Sequence, residues 1–288
     1  MPVTIAQALT LASRQIDRFD AELILAHLLK TERTWLAAHA HEPLTSTQQK
    51  RFKLHVEKRH AHEPIAYLVG ETSFYAKRFF TDKRALIPRP ETEDLVTRAL
   101  ESLSINPESW LAWDAGTGSG IIPITIRRLL PSLPVIASDV SREALSLARK
   151  NAKRHQITLP FYQANLLNDR LKRYIASSPH KALFITANLP YVPLKDKKTL
   201  MPDVRLYEPH LALFVPADGS GLIVRFLKQL NVYTKKDPRP WVGLFECDPS
   251  HVASLARTAQ KLFPHARVSI LPDMFKRKRF VEIRAITA

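Results

Sequence analysis

Cysteine and glycine are scarce in this sequence, and long apolar runs are missing. Its 288 residues include one cysteine, Cys247, and seven glycines against 21 prolines. A single cysteine excludes a framework of internal disulfides and is typical of a reducing compartment. No run approaches about 18 consecutive apolar residues, which excludes a membrane-spanning helix. The N-terminus lacks a basic region ahead of its apolar part, so we expect no signal peptide, a cytoplasmic location and no membrane partner.

Acidic residues are also few relative to basic ones. The chain has 27 Asp and Glu against 43 Lys and Arg, a formal charge of +16. Residues 142–181 alone carry nine Lys or Arg and two acids. Such a field favours an anionic partner, and nucleic acid, a ribonucleoprotein and an acidic protein all remain open, so ribosome or RNA proximity is one consequence. The hydrophobic fraction of 45% is ordinary, which excludes a wholly disordered chain.

The order of apolar patterns predicts two kinds of structure. Residues 1–63 read as short helices, with Asp20 as N-cap of one and Thr45 or Ser46 starting another. Residues 65–87 are rich in aromatic and β-branched types, which predicts strands or a hairpin, and a helix start follows at Pro90. From Trp110 onward, strands alternate with helices, which indicates an α/β domain with a parallel sheet. The strings ARVSILPD and RFVEIRAI predict a closing strand pair at residues 266–286.

A glycine-rich turn follows the first predicted strand of the α/β part. Residues 114–120 read DAGTGSG, so three of the seven glycines (Gly116, Gly118 and Gly120) fall within five residues. A strand–glycine turn–helix unit lets a ligand approach the backbone closely. The spacing GxGxG departs from the GxGxxG of dinucleotide sites, which want a third glycine for helix packing. An ordinary tight turn is the alternative.

The next two predicted strands end in polar side chains that suit a nucleoside. Asp139 ends the second strand, where a carboxylate can accept hydrogen bonds from both ribose hydroxyls; it can also cap the following helix. Asn165 ends the third strand, where an amide can bind an adenine edge; a simple turn residue is the alternative. Together they describe an adenosine site without a phosphate cradle, which fits S-adenosylmethionine (AdoMet) better than NAD.

The fourth predicted strand leads into Asn188, Leu189, Pro190 and Tyr191. Methylating a planar amino group requires its weakly nucleophilic nitrogen to be aimed at the methyl donor. The side-chain oxygen of Asn188 and a neighbouring backbone carbonyl can hold the two hydrogens, and Pro190 biases Leu189 toward extended backbone. Tyr191 can wall the site, and catalysis is then mainly orientation. A strand-to-loop exit is the alternative reading.

Several longer strings make the sequence similar to the HemK/PrmC family of glutamine methyltransferases, which modify class-I peptide chain release factors. The matching stretches are residues 70–80 (GETSFYAKRFF), 86–96 (LIPRPETEDLV), 114–120, 188–191, 203–213 (DVRLYEPHLAL) and 273–283 (DMFKRKRFVEI). The resemblance implies a class-I, Rossmann-like AdoMet-dependent methyltransferase sheet of seven strands, a small N-terminal helical domain and a linking β-hairpin. We therefore predict a helical substrate-recognition domain at residues 1–66, a hairpin linker at 67–88 and the methyltransferase domain at 89–288.

The resemblance also implies a cofactor, a substrate and site residues. AdoMet would be bound by Gly116, Thr117, Gly118, Ser119, Gly120, Asp139, Asn165, Leu166 and Asn188. Asn188 and the Leu189 carbonyl, with Pro190 and Tyr191, would hold the glutamine amide of the release factor's Gly-Gly-Gln loop, in support of translation termination. No metal site is predicted.

Three positions depart from the family pattern. Leu189 stands where the family usually has proline, so its rigid φ is lost while the backbone carbonyl is kept. Near the sixth strand the family usually has Glu-x-Gly, whereas here Glu246 is followed by Cys247 and Asp248. Lys276 replaces a glycine that the family has in the tail. Three other functions remain open: methylation of an adenine exocyclic amine in nucleic acid, methylation of a ribosomal-protein glutamine, and a basic binding module without catalysis.

Overall fold

The computed structural model describes residues 3–216 and 219–285, so the ends of the predicted 1–66 and 89–288 ranges lie outside it. The chain divides into two units. The first unit contains the residues up to Thr72 together with Thr81–Lys83 and Leu200–Glu208, and the second contains the rest. None of the helices in the described residues is long and apolar enough to span a membrane.

The first unit is built from short helices around its own core. They are α1 (Ile5–Ala12), α2 (Arg18–Leu29), α3 (Arg33–Ala38), α4 (Ser46–His60) and α5 (Ile65–Val69). Thr4 and Thr45 begin α1 and α4 with capping boxes, in which the cap hydroxyl and a Gln side chain exchange hydrogen bonds with the backbone. The apolar side chains that these helices bury include Leu9, Ile24, Leu25, Phe52 and Val56.

Two predictions for this unit are wrong in detail. Asp17, not Asp20, caps α2 by accepting the Phe19 N–H at 2.7 Å, while Asp20 lies inside the helix and pairs with Arg59 at 2.6 Å. The stretch Ile65–Val69 is helical although its residue types favour strand, and Gly70 ends it at φ 77°. The β-propensity of five residues is weak, so the glycine that ends the helix in left-handed backbone has the stronger effect on the local structure.

The predicted hairpin follows directly after α5. Its strands are β1 (Glu71–Phe74) and β2 (Lys77–Phe80), which pair with each other. The two turn residues between them, Tyr75 and Ala76, have φ of 50° and 54°. Positive φ at both central residues is the geometry of a type I′ turn, whose twist matches that of the flanking strands.

The second unit alternates strands and helices, as predicted. Its main strands are β3 (Trp110–Ala115), β4 (Val135–Asp139), β5 (Phe161–Gln163) and β6 (Ala182–Asn188), then β9 (Trp241–Glu246), β10 (Arg267–Pro272) and β11 (Lys278–Ala285); β7 (Val192–Pro193) and β8 (Phe214–Val215) form a small separate pair. The helices between them are α6 (Glu91–Leu103), α7 (Ile121–Leu129), α8 (Arg142–Arg154), α9 (Asp169–Ser177), α11 (His210–Leu213), α12 (Gly221–Thr234) and α13 (Val252–Leu262), while α10 (Pro202–Tyr207) belongs to the first unit. The sequence pattern did not predict α9, which buries only Leu171 and Ile175.

Within the described residues, seven strands form one sheet in the order β10-β11-β9-β6-β3-β4-β5. The strands β9, β6, β3, β4 and β5 are parallel, with β5 at the edge, and β11 runs antiparallel beside β9 and β10. The predicted closing pair is thus confirmed, although Ile286 of that prediction lies outside the described residues. Strand order reverses between β3 and β6, so the carboxyl ends of these two strands form the switch point where open α/β sheets bind ligands.

Both faces of the sheet are covered. One core contains Trp113, Phe226 and Phe245 among side chains from α9, α12 and α13, and it includes the single cysteine, Cys247. The other contains Phe184 and Phe280 with side chains from α6 and α7. Strands that are apolar on both faces are typical of buried parallel sheets, which explains their near-continuous apolar runs.

Candidate active site

The glycine-rich turn joins β3 to α7 at the switch point. Gly116, Gly118 and Gly120 have φ of 76°, 54° and 80°, in the left-handed region that disfavours other residue types. The amides of Gly116 and Thr117 donate to the Ser138 carbonyl at 2.8 and 2.9 Å, which ties the turn to β4. A chain with seven glycines therefore uses three of them where the backbone requires it.

Gly120 and Ser119 are held by α8. A Cβ on Gly120 would lie 3.0 Å from the Cβ of Ala148, so glycine allows the two helices to approach closely. Asn151 donates from Nδ2 to the Ser119 carbonyl at 2.9 Å, while its Oδ1 accepts the Phe80 N–H at 2.7 Å. Sequence reasoning missed Asn151; its signal is a polar residue among the apolar positions of an amphipathic helix.

Asp139 lies at the end of β4, beside the turn. Its Oδ2 accepts the Gly118 N–H at 2.8 Å and its Oδ1 accepts the Ser141 N–H at 2.9 Å. Burial raises the pKa of Asp139, against the Ser141 and Gly118 amides that lower it. Each carboxylate oxygen can accept a second hydrogen bond, so the side chain can still bind a vicinal diol. The N-cap of α8 is Ser141, not Asp139. Asp139 accepts the backbone N–H of that cap residue.

The residues at the end of β5 form a turn. Leu166 has φ of 59°, and Asn165 accepts a hydrogen bond at its Oδ1 from Arg225 of α12 at 2.6 Å. The oxygen end of the Asn165 amide is thus engaged, which leaves its amino end to donate to a ligand acceptor.

Buried polar atoms lie directly beneath the turn. Asp114 Oδ1 accepts from the Thr186 hydroxyl at 2.7 Å, and burial raises the pKa of Asp114 to about 6 despite the neighbouring Thr117 and Thr186 hydroxyls. Asp114 and Thr117 are only 2% and 4% exposed. The Thr117 hydroxyl is a hydrogen-bond partner of the Asp114 carboxylate and lowers its pKa, so the two buried side chains satisfy each other in part.

Asn188 ends β6 opposite Glu246, the last residue of β9. The Nδ2 of Asn188 donates to the Thr92 hydroxyl at 3.1 Å, and that hydroxyl donates to Glu246 Oε2 at 3.0 Å. Thr92 is buried in the first turn of α6. Thr92 lies in the family string at residues 86–96 and Glu246 at the position of the family's Glu-x-Gly pattern, and the sequence alone assigned neither side chain a role.

The next residues connect this strand end to the glycine turn. Leu189 is only 3% exposed, and its Cδ2 lies 2.6 Å from the point where Gly116 would carry a Cβ. Burial raises the pKa of Tyr191 far above its ordinary range, with Glu246 adding to the effect and Arg279 opposing it, so the phenol stays protonated. A Cβ on Gly219 would collide with the Tyr191 carbonyl oxygen, so glycine is required there.

An ion cluster lies close to Tyr191 and Glu246. Arg279 donates to Asp273 at 3.0 Å, and Arg277 contacts Glu91 at 3.1 Å. Burial raises the pKa of Glu246 to about 7, while Thr92 and Arg279 lower it. The strings at residues 86–96, 188–191 and 273–283 therefore meet at one end of the sheet.

Two of the departures have different structural consequences. Lys276 has φ of 64° within the turn between β10 and β11, where its N–H donates to the Asp273 carbonyl at 2.8 Å. A lysine therefore occupies left-handed backbone that suits glycine. Asp248 is not among the described residues with positive φ, so it carries no such strain.

Comparison with known proteins identifies the family. The model of the PrmC N-terminal domain matches residues 4–70, and that of the methyltransferase small domain matches residues 94–177. The release factor glutamine methyltransferase of Bacillus cereus is 34% identical to this chain over 268 residues, which cover 92% of each protein. The chain belongs to the release factor glutamine methyltransferase family. The Chlorobaculum tepidum protein of that name is 38% identical over 213 residues, 71% of each chain.

Membership of this family confirms the predicted resemblance and the predicted class of enzyme, an AdoMet-type methyltransferase. The hMettl16 catalytic domain in complex with the MAT2A 3'UTR hairpin 6 is 13% identical, with a TM-score of 0.53, and the match covers 85% of this chain and 84% of that one. At this identity the likeness concerns the fold alone. With the strand order, it confirms the class-I methyltransferase sheet.

Proposed function

We propose that this protein transfers a methyl group from AdoMet to the side-chain amide nitrogen of the glutamine in the Gly-Gly-Gln loop of class-I peptide chain release factors. One observation carries the proposal: the donor end of the Asn188 amide is bonded to Thr92, so its acceptor Oδ1 is the end left for a ligand. This acceptor belongs to the last residue of β6, at the switch point, and the next residue, Leu189, contacts the glycine turn. Family membership supports the choice of substrate.

The residues at the turn fit AdoMet. Asp139 could accept from the ribose hydroxyls, the turn at Asn165 and Leu166 would hold the adenine, and the glycine turn would hold the amino-acid tail. The turn at residues 116–120 would contact the cofactor through its backbone. Gly116, Gly118 and Gly120 carry no side chains there, and Thr117 and Ser119 hold the turn by their backbone hydrogen bonds. Asn188 would lie at the end of the site beside the substrate. Bound AdoMet supplies an electrophilic methyl group on a sulfonium.

Catalysis then depends on orientation. Asn188 Oδ1 and the Leu189 carbonyl accept the two N–H groups of the glutamine amide, which fixes the nitrogen and aims its weak lone pair. Pro190 stiffens the loop, and Tyr191 supplies a half-buried aromatic wall whose hydroxyl remains neutral. AdoMet would supply the methyl group, and the amide nitrogen would lose one proton to solvent as it is methylated, so no strong base is required of this chain. Fixing a reactant in a near-attack geometry contributes about 7–11 kcal/mol in favourable cases.

The helical domain at residues 1–66 is proposed to hold the release factor, with residues 67–88 as linker and 89–288 as the catalytic domain. The match of residues 4–70 to the PrmC N-terminal domain supports this division. Tyr207, from the family string at residues 203–213, donates to the Ala61 carbonyl at 2.7 Å. That string therefore contributes to the helical unit as well.

A methyl-transfer assay tests the proposal. The full chain is incubated with radiolabelled AdoMet and either a release factor, intact ribosomes or naked RNA. We expect label on the release factor, lost when the glutamine of its Gly-Gly-Gln loop is replaced, and a collapse of turnover in Asn188→Ala with its fold retained. Label on RNA or on a ribosomal protein alone contradicts the proposed substrate, and AdoMet binding without any transfer contradicts the proposed activity.

A further inference from the structure

Asn188 belongs to a chain of hydrogen bonds that ends on a buried carboxylate. Its Nδ2 lies 3.1 Å from Thr92 Oγ1, which lies 3.0 Å from Glu246 Oε2. The three residues come from α6 and from the ends of the neighbouring strands β6 and β9. Thr92 and Glu246 are 2% and 1% exposed, so water does not compete for these bonds.

The chemistry of the three groups fixes the direction of every bond in this chain. An ionised carboxylate only accepts, so the single Thr92 hydroxyl hydrogen must point to Glu246. The Thr92 oxygen is then an acceptor toward Asn188, and only the amino end of the Asn188 amide can donate to it. Turning the amide over would place the Asn188 and Thr92 oxygens, two acceptors, against each other, which is costly.

We propose that Glu246 and Thr92 are positioning residues that hold the Asn188 amide with its Oδ1 toward the substrate. The inference rests on the proposed function, because it concerns how the acceptor for the glutamine amide is oriented. It assigns a role to Thr92 in the PETE string and to the carboxylate at the end of β9, neither of which touches the reacting atoms.

The surroundings of Glu246 make this control dependent on pH. The groups that face it are Thr92, Glu91 and Asp94 from α6, Tyr191 after β6, Cys247 next in sequence and Arg279 from β11. Burial raises the pKa of Glu246 to about 7, with Glu91 and Asp94 adding to the effect, and Thr92 and Arg279 opposing it. A protonated Glu246 can donate to Thr92, which removes the constraint on the amide. Turnover should therefore fall as the pH drops below about 7.

Substitutions at Thr92 separate this role from simple packing. Thr92→Val keeps the shape but removes the hydroxyl, so we expect kcat for release-factor methylation to fall about tenfold, with KM for AdoMet little changed. Thr92→Ser keeps the hydroxyl and should stay within about twofold of wild type. Thr125→Val, which alters an equally buried threonine in α7 outside the chain of hydrogen bonds, is the matched control. Wild-type kcat in Thr92→Val, or equal losses in the serine and valine variants, overturns the inference.

A spectroscopic measurement needs no substrate and keeps the two proposals distinguishable. The side-chain amide signals of Asn188 are followed by NMR in the isotope-labelled full chain across pH, after assignment by their loss in Asn188→Asp. We expect a transition near pH 7 in the wild type and none in Glu246→Gln. Signals that do not change in the wild type overturn the inference. A transition without any transfer to release factor supports the orientation and contradicts the proposed function.

Discussion

The contact between Gly116 and Leu189 leads to a prediction about stability. Gly116→Ala introduces a Cβ at φ 76°, and that Cβ would lie 2.6 Å from Leu189 Cδ2. Leu189 is 3% exposed and packed in the core, so its side chain cannot move aside freely. The substitution should therefore carry two separate costs, backbone strain and overpacking.

The magnitude of each cost follows from the structure. Left-handed backbone costs a non-glycine residue about 1–2 kcal/mol, and overpacking a core adds about 1–3 kcal/mol. Leu189→Ala removes the obstructing atoms and by itself costs about 2–5 kcal/mol. In the Leu189→Ala background Gly116→Ala costs only the backbone strain. The stability lost by the double variant should therefore be smaller than the sum of the two single losses by about 1–3 kcal/mol.

The assay is urea unfolding of the four proteins in a double-mutant cycle, without cofactor. Gly118→Ala is the matched control, because φ is 54° and a Cβ there would meet only Ala85 at an ordinary 3.8 Å. It should show strain alone and no coupling to Leu189. Additive losses for Gly116→Ala and Leu189→Ala would refute the reasoning, since they would mean that the contact does not exist in solution.

Three further predictions concern single side chains. Asp139→Ala should raise the Kd for AdoMet about tenfold, measured by calorimetry, because a lost hydrogen bond is worth about 0.5–1.5 kcal/mol; an unchanged Kd would limit Asp139 to fixing the turn. Lys276→Gly should raise the free energy of unfolding by about 1 kcal/mol, since it relieves φ of 64°; a loss of stability would contradict this account. Folding raises the pKa of Glu246 from 4.5 to about 7, so the protonated carboxyl contributes to the free energy of unfolding. This contribution is complete below about pH 4.5 and is lost as the pH rises through 7. Relative to Glu246→Gln, wild-type stability should therefore fall by on the order of 3 kcal/mol from acid to alkaline pH, and a constant difference would contradict the burial of this charge.

The sequence by itself determined the periodic elements and the backbone signals. Alternating apolar runs predicted the parallel sheet, since buried strands and amphipathic helices have distinct periods. The spacing of Gly116, Gly118 and Gly120 marked the turn because its backbone needs positive φ at three alternate residues. The short helix Ile65–Val69 was missed because five residues carry too little periodicity to outweigh their β-propensity.

Only the tertiary structure decided which polar groups meet. Thr92, Asn188 and Glu246 are separated by 96 and 58 residues along the chain, and no local pattern couples them. Parallel register places Asn188 beside Glu246, and the packing of α6 brings the Thr92 hydroxyl between them. Hydrogen-bond direction is a property of the assembled neighbours, so the orientation of the Asn188 amide arises only when three distant segments are buried together.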